Sequence, residues 1–262
     1  MSRMTWDLSS QGCSDESETQ QRRSRVGARV DGQAYEAEVE SMRLVDMMRM
    51  APKTPEWGGD WPTSNTLLHS LAWVGEHSAI LGGSSMLEFG VFSGKSITKM
   101  AICFPHLKIY GFDSFLGLPE SWANKLPKGH FNTCGQQPRV PRNVELISGF
   151  FQQTLPDFAR THSGPASLVH LDADLYSSTI FVLRELMHNG WIVAGTVLVF
   201  DEIVNDATDW MNDGEFKALR EILLEFPKLK IECVARAGDI KLPPTDTRNY
   251  QSEQAMFRVT QV

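Results

Sequence analysis

Cysteine is scarce in this chain, and the few cysteines show no pattern of a metal site or a disulfide framework. There are four of them in 262 residues, namely Cys13, Cys103, Cys134 and Cys233. Their scattered positions, with no paired spacing, argue against a zinc site and against a disulfide-stabilised fold. We therefore expect reduced thiols and a cytoplasmic protein.

Blocks of positive charge and long apolar runs are also missing. The formal net charge is −7 at pH 7, the sequence pI is about 5.5, and the one short basic block lies at residues 21–25. Such a composition argues against a nucleic-acid partner. The longest apolar run, Trp191–Phe200, has about half the length that a membrane crossing needs, and the first residues lack the apolar segment of a signal peptide. We expect a soluble protein without a membrane partner.

Two apolar runs stand out because each ends in a pair of acidic residues. The first ends in Asp172 and Asp174, and the second, Thr196–Phe200, ends in Asp201 and Glu202. Residues two apart in an extended chain project to the same side, so the two aspartates would face one space. The pairs predict a site at the carboxyl edge of a parallel sheet. Alternatively they are N-caps of the following helices, although single caps need no doubling on two strands.

Strand and helix patterns alternate from residue 85 onward. This alternation predicts an α/β fold, with a parallel sheet covered by helices on both faces. Residues 1–30 are polar and predict a flexible tail. Residues 31–82 predict a helical N-terminal extension or lid, which begins with an amphipathic helix. Residues 83–262 make up the predicted ligand-binding domain.

A glycine-containing loop follows the first predicted strand of this domain. Residues 88–94, Glu-Phe-Gly-Val-Phe-Ser-Gly, lie between a strand and a helix, where the backbone and the helix amides can approach a ligand. The loop is neither a dinucleotide G-x-G-x-x-G sequence nor a P-loop. Asp113 ends the second predicted strand, 23 residues after Gly90, where nucleotide-binding sheets place a carboxylate for ribose hydroxyls. This spacing favours a ribose-bearing ligand.

Four motifs occur in order along residues 85–260. They are Glu88-x-Gly90-x-x-x-Gly94, Asp113-Ser-Phe-x-Gly-Leu-Pro119, Asp172-x-Asp174-x-Tyr176 and Phe200-Asp201-Glu202. Together they resemble the class I S-adenosylmethionine-dependent methyltransferases, and among these the macrocin- and novobiocin-type (TylF-like) sugar O-methyltransferases. The resemblance implies a Rossmann-like, seven-stranded, mostly parallel sheet with helices on both faces.

The resemblance also implies ligands and residue roles. The cofactor would be S-adenosylmethionine, and the residues implied to contact it are Glu88, Gly90, Gly94, Asp113, Ser114, Phe115, Gly149 and Phe150. A divalent ion, magnesium or manganese, would be bound by Asp172, Asp201 and Glu202. Asp172 and Asp174 would be the catalytic residues, with Asp174 as the general base. The family commonly has two aspartates where this chain has Asp201-Glu202, and glutamate is still a competent oxygen ligand.

The chemistry of the residues agrees with these roles. Carboxylate oxygens suit magnesium or manganese, and an alcohol near such an ion can lose its proton to a nearby carboxylate. We expect an O-methyltransferase that acts on a small molecule with a vicinal diol, sugar or phenolic hydroxyl, and that can form a homo-oligomer. The alternatives are a nicotinamide-dependent oxidoreductase and a non-catalytic S-adenosylmethionine-binding regulatory protein. At single positions, Asp174 could instead be a hydrogen-bond acceptor behind the ligands, and His170 a packed histidine beside them.

Overall fold

The computed structural model describes residues 32–54, 65–77, 83–122, 126–205, 209–237 and 252–262. The helices are α1 (Gly32–Met50), α2 (Asn65–Glu76), α3 (Lys95–Cys103), α4 (Phe151–Thr161), α5 (Tyr176–His188) and α6 (Gly214–Glu225). The strands are β1 (Ser85–Phe89), β2 (Lys108–Asp113), β3 (Val144–Ser148), β4 (Ala166–Leu171), β5 (Val197–Asn205), β6 (Lys230–Arg236) and β7 (Ser252–Gln261). From β1 to β6 the two kinds of element alternate, apart from the connection between β2 and β3, whose described residues include no helix.

The seven strands form one sheet in the order β3-β2-β1-β4-β5-β7-β6. The pairs from β3 to β5 are all parallel, and β7 lies antiparallel between β5 and β6. This is the predicted Rossmann-like, seven-stranded, mostly parallel sheet with helices, so the fold prediction is confirmed. The antiparallel direction of β7 is a feature of the sheet that its sequence pattern did not reveal.

The central strands are buried on both faces. Every residue of β1 and every residue of β4 is buried, which explains why these segments are mostly apolar and show no alternation of apolar and polar residues. Side chains of one parity, such as Phe89 and Leu171, pack in the larger core cluster with α5 and α6. Side chains of the other parity, such as Met86 and Leu168, pack in a second cluster with α2 and α3. The sheet therefore separates two apolar layers.

The N-terminal helices pack directly on this sheet. Leu44, Val45 and Met48 of α1 belong to the same core cluster as the central strands, and Leu67 and Leu71 of α2 belong to the cluster on the opposite face. The division of the chain at residue 83 stays a prediction, but these two helices contribute to the packing of the sheet.

Some predictions fall on parts of the chain that lie outside the described residues. These parts are the polar tail predicted at 1–30 and, within the helical extension predicted at 31–82, residues 31, 55–64 and 78–82. No helix in the described ranges combines the length and the apolar composition that a bilayer crossing demands.

Candidate active site

The acidic residues lie where the order of the strands changes direction. From β1 the chain moves outward to β2 and β3, and then returns to β4 and β5 on the other side of β1. Parallel sheets open a crevice at the carboxyl ends of the strands at such a point. The register pairs Glu88 of β1 with His170 of β4, and His170 with Val199 of β5. Because alternate side chains share a face, the row continues with Asp172, just past the end of β4, and with Asp201 of β5.

His170 is the buried centre of this row. Its side chain is 2 % exposed, and Nδ1 lies 2.9 Å from Oε1 of Glu88, whose side chain is fully buried. Nε2 lies 3.8 Å from Oδ1 of Asp201 and has no hydrogen-bond partner among the described residues. Burial by itself lowers the pKa of His170, but Asp201 and Glu88 outweigh it and raise that pKa well above its usual value.

Asp172 and Asp201 meet His170 at the edge of the sheet. One ligand atom from each of the three residues lies within 4.8 Å of the others. Gln254 of β7 donates a hydrogen bond from Nε2 to Oδ1 of Asp201, and its own Oε1 accepts one from the backbone N–H of Thr66, at 3.2 Å. Burial and then repulsion by Asp201 raise the pKa of Asp172 well above its usual range. The geometry thus gathers carboxyl groups in a largely buried site, where burial and mutual repulsion disfavour their charged forms and a cation would favour them.

A second group of carboxyls lies next to the first. Asp174 has a left-handed backbone (φ 59°), a conformation that costs a non-glycine residue about 1–3 kcal/mol and is common at functional sites. Burial raises its pKa to about 7, although a hydrogen bond with Glu202 lowers it. The pKa of Glu202 is raised well above its usual value by burial, and then by Asp174.

Glu215, at the start of α6, forms a hydrogen bond with the backbone of Glu202. The pairing of β5 with β7 shifts register between Phe200 and Val204. A shift of this kind interrupts the regular hydrogen bonds between the two strands, so a backbone amide there can bond to a side chain instead. Oε2 of Glu215 accepts the backbone N–H of Glu202 at 2.9 Å, and the Glu215 side chain is buried. The irregularity lets the consecutive residues Asp201 and Glu202 both lie at the site.

Asp113 holds the glycine-containing loop in place. Its Oδ2 accepts the backbone N–H groups of Val91 and Phe92 at 2.9 and 2.7 Å, and its Oδ1 accepts that of Phe115 at 2.7 Å. A carboxylate can accept about four hydrogen bonds, so capacity remains for a ribose hydroxyl. The described contacts give Asp113 a structural role in addition to its predicted cofactor role.

Replacing Asp113 by asparagine is expected to lower the free energy of unfolding by about 2 kcal/mol, because hydrogen bonds to a charged acceptor contribute about 1.5–3 kcal/mol each. The amide keeps one acceptor oxygen and turns a donor group toward backbone N–H groups. Urea unfolding of Asp113→Asn measures the change. The control is Asp157→Asn on α4, whose carboxylate pairs with Arg160 on the surface. Equal stability of the two variants would contradict the structural role.

Two cavities open beside these residues, and Phe92 and Asp172 line both. The first cavity is bordered by several aromatic rings and by the ends of β1, β2 and β4. Its lining includes six of the predicted site residues, which are Gly90, Asp113, Ser114, Phe150, Asp172 and Asp174. The second lies between α2 and the start of α3, and its lining includes Gly94, His170, Asp172 and Asp201.

The other predicted cofactor contacts do not line the first cavity. Glu88 points to His170 inside the sheet, and Phe115 is fully buried in the core, with a left-handed backbone at φ 55°. The backbone N–H of Gly149 donates to the carbonyl of Asp113 at 2.9 Å. Their contacts with a cofactor stay predictions, as does metal binding by Glu202, which is not a member of the cluster around His170.

The sequence motifs did not assign a role at the site to three residues, namely His170, Gln254 and Glu215. His170 shares the alternation of Asp172 and Asp174, and this was the available signal for its place in the row. Gln254 lies near the end of the chain with no motif around it. Glu215 reads as an ordinary acidic residue in the first turn of a helix. Only the packing of α6 and β7 against β5 reveals the last two.

The comparison with family models agrees with this site. Residues 87–203 match a family described as a methyltransferase domain, a segment that runs from β1 through the acidic end of β5. The match covers less than half of the chain and indicates an enzyme with a methyltransferase domain, in agreement with the Rossmann-like sheet. A search of curated proteins gives no match.

Solved structures with similar folds include three methyltransferases at 15% sequence identity. The O-methyltransferase from Bacillus cereus in complex with SAH has a TM-score of 0.48, with 92% of this chain and 97% of that chain covered. The O-methyltransferase TomG from Streptomyces achromogenes, involved in tomaymycin synthesis and in complex with SAM, has a TM-score of 0.46, with 93% and 96% covered. The SAH-bound methyltransferase PaMTH1 from Podospora anserina has a TM-score of 0.44, with 96% and 99% covered.

Proposed function

We propose that this protein is a divalent-cation-assisted O-methyltransferase that acts on a hydroxyl of a small molecule. The acceptor would carry a vicinal diol, a sugar or a phenol. The observation that carries the proposal is the convergence of Asp172 and Asp201 at the switch point of the sheet, next to a cavity bordered by Asp113 and Asp174. A methyltransferase domain without metal or acid–base chemistry would not require so many buried carboxyls in one place.

The first cavity suits the nucleoside part of S-adenosylmethionine. Phe92, Phe131 and Phe150 supply aromatic surface for a purine ring, and Asp113 at the end of β2 is positioned for ribose hydroxyls. Gly90 leaves the loop close to the end of β4, so little side-chain bulk separates the cofactor from the carboxyls. The cofactor supplies an electrophilic methyl group bonded to a sulfonium.

The donor set also fits a divalent cation. Asp172 and Asp201 are carboxylates at the rim of a buried site, and Asp201 is oriented by Gln254, as metal ligands commonly are. Glu202 is the third ligand that the resemblance implies. A bound ion would act as a Lewis acid and lower the pKa of an acceptor hydroxyl.

The protein's own groups would then orient the acceptor and remove a proton. Asp172 lines both cavities, so an acceptor hydroxyl beside it would lie close to the donor methyl group. Transfer needs only an aligned approach from about 3 Å. Asp174, with a pKa of about 7, is suited to accept the hydroxyl proton because a general base works best with a pKa near the operating pH. Phe92 and Phe131, in edge contact at 5.5 Å, would shield the reacting atoms from water.

Chelation is expected to lower methyl transfer about 100-fold or more, and added Mg²⁺ is expected to restore it, because the ion stabilises charge that develops on the acceptor oxygen. The assay uses the full chain, S-adenosylmethionine with a labelled methyl group, and a panel of catechols and vicinal-diol glycosides, with and without EDTA. Calorimetric titrations with S-adenosylmethionine and with NAD accompany it. Transfer that EDTA leaves unchanged contradicts the cation role, and tight binding of NAD alone contradicts the whole proposal.

Further parts of the proposal concern the context of the enzyme. We propose that the enzyme belongs to the macrocin- and novobiocin-type (TylF-like) branch and that its ion is magnesium or manganese. We also propose that it acts on a small-molecule acceptor and has no nucleic-acid or membrane partners. We further propose that the protein is cytoplasmic and forms a homo-oligomer. The four ordered motifs support the branch, and the scattered cysteines support the location.

A further inference from the structure

We propose that His170, through Nε2, is a direct ligand of the cation, together with Asp172 and Asp201. The site would therefore be a one-histidine, two-carboxylate site that favours a first-row transition ion such as Mn²⁺ or Fe²⁺ over Mg²⁺. This inference rests on the cation-assisted function proposed above and changes its ligand set. It replaces Glu202, the third carboxylate that the sequence resemblance implies, by an imidazole nitrogen.

The first argument is the position of the imidazole. Ligand atoms of His170, Asp172 and Asp201 lie within 4.8 Å of one another, which is the spread that ligands of one small cation have around it. Nε2 is buried and has no hydrogen-bond partner among the described residues. At 3.8 Å, its distance to Oδ1 of Asp201 is too long for a hydrogen bond. A buried ring nitrogen of this kind needs a partner, and His170 is one of the residues that line the second cavity.

The second argument is the partner of the other ring nitrogen. Histidines that bind metals almost always donate their second N–H to a carboxylate, a carbonyl or water, which fixes the tautomer and the ring orientation. In His170 that position is filled by Oε1 of Glu88, at 2.9 Å from Nδ1. With Nδ1 donating to Glu88, Nε2 is the nitrogen that would release its proton to solvent when a cation binds and would provide the electron pair that a metal requires. Glu88 would thus be a positioning residue for His170.

The third argument is that Glu202 has a different set of neighbours. Its backbone N–H donates to Glu215, and its carboxyl hydrogen-bonds with Asp174. Glu202 therefore belongs to the carboxyl group around the general base, and His170 belongs to the group around Asp172 and Asp201. The two groups are adjacent but have separate members.

A nitrogen ligand changes the choice of ion. Imidazole binds first-row transition ions well, while Mg²⁺ prefers an all-oxygen shell and keeps its waters. We expect the dissociation constant of Mn²⁺ to be about tenfold or more below that of Mg²⁺, on the Irving–Williams trend and the ligand preference together.

Pulsed electron paramagnetic resonance of Mn²⁺ bound to the full chain tests the proposal directly, because a coordinated imidazole nitrogen couples to the electron spin. The wild type is expected to show this nitrogen coupling, and labelling with ¹⁵N-histidine is expected to change its frequency. In His170→Gln the coupling should be lost. In Glu88→Gln, which retains the imidazole but replaces its carboxylate partner, Mn²⁺ affinity should fall about tenfold or more. The matched control is His106→Asn, at an exposed histidine outside the site.

The outcomes separate this inference from the proposed function. Mn²⁺ that binds without histidine nitrogen coupling, in a protein whose methyl transfer needs an ion, overturns the role of His170 and leaves the cation-assisted function in place. Coupling that persists in His170→Gln also overturns it. A wild type that binds no ion and transfers methyl groups in EDTA overturns both. Thermal unfolding of each variant shows whether it is folded. If His170→Gln does not fold, the presence or absence of histidine nitrogen coupling in the labelled wild type still tests the role of His170.

Discussion

Replacing Asp174 by asparagine is expected to lower kcat for methyl transfer about 10³-fold, the middle of the range for removing a general base. S-adenosylmethionine binding should change little, because asparagine preserves the size of the side chain. The left-handed backbone of residue 174 tolerates asparagine better than most residues, so the variant should fold. Single-turnover rates with labelled cofactor measure the chemical step, and calorimetry measures cofactor binding.

The control for this variant is Asp209→Asn, which changes an exposed carboxylate beyond the end of β5. Its rate should stay close to that of the wild type. If Asp174→Asn retains more than about a tenth of the wild-type kcat, Asp174 is not the base, and its alternative role as a hydrogen-bond acceptor behind the ligands becomes the better account.

The pH profile gives a second check on Asp174. The base must be deprotonated to work, so the rate should rise with pH as the pKa of about 7 is passed, and then level off. A cation bound beside Asp174 favours its charged form and draws the pKa down, so the rise should lie at or below that value. Asp174→Asn should not show this rise.

Gly90→Ala is expected to lower the free energy of unfolding by about 3 kcal/mol or more, or to prevent folding. Gly90 has φ 97°, and a Cβ atom there would lie 1.8 Å from the carbonyl oxygen of Asp172. That neighbour is backbone at the end of β4, so it cannot rotate away as a side chain would. Relief requires a shift of the loop or of the strand end, and either movement displaces Asp172.

Gly129→Ala is the matched control, because Gly129 has a similar φ of 82° and nothing within 4 Å of its Cβ position. It carries the cost of the left-handed backbone without the clash, about 1–2 kcal/mol. Urea unfolding of both variants separates strain from overlap. Equal losses would show that the approach of the loop to Asp172 is not tight, and where Gly90→Ala does not fold at all, a stable Gly129→Ala still confirms the difference.

The fold could be predicted from the sequence because its strands are long apolar runs between helical patterns. The alternation of strands and helices predicted from residue 85 onward is observed from β1 to β6, apart from the connection between β2 and β3. The direction of β7 could not be predicted in this way, because a strand pattern is the same in either direction. Pairing across the sheet, which decides the direction, depends on residues far apart in the chain.

The positions of three aspartates of the candidate site could also be predicted from the sequence. Asp172, Asp174 and Asp201 end apolar runs, and the rule for parallel sheets brings such ends together. The roles of Glu88 and His170 were harder to predict, because their contact depends on which strands are neighbours, and the strand order is not written in any local pattern. Glu88 read as a loop residue near a cofactor, whereas its fully buried side chain faces His170.

Gln254 connects the site to the last strand of the chain. Because β7 is inserted between β5 and β6, β6 cannot join the sheet through its observed partner until the C-terminal segment has been synthesised. Asp201 likewise receives its hydrogen bond from Gln254 only at that stage. A nascent chain on the ribosome would therefore have the glycine loop and the strand that precedes Asp172 in place before Asp201 receives this hydrogen bond.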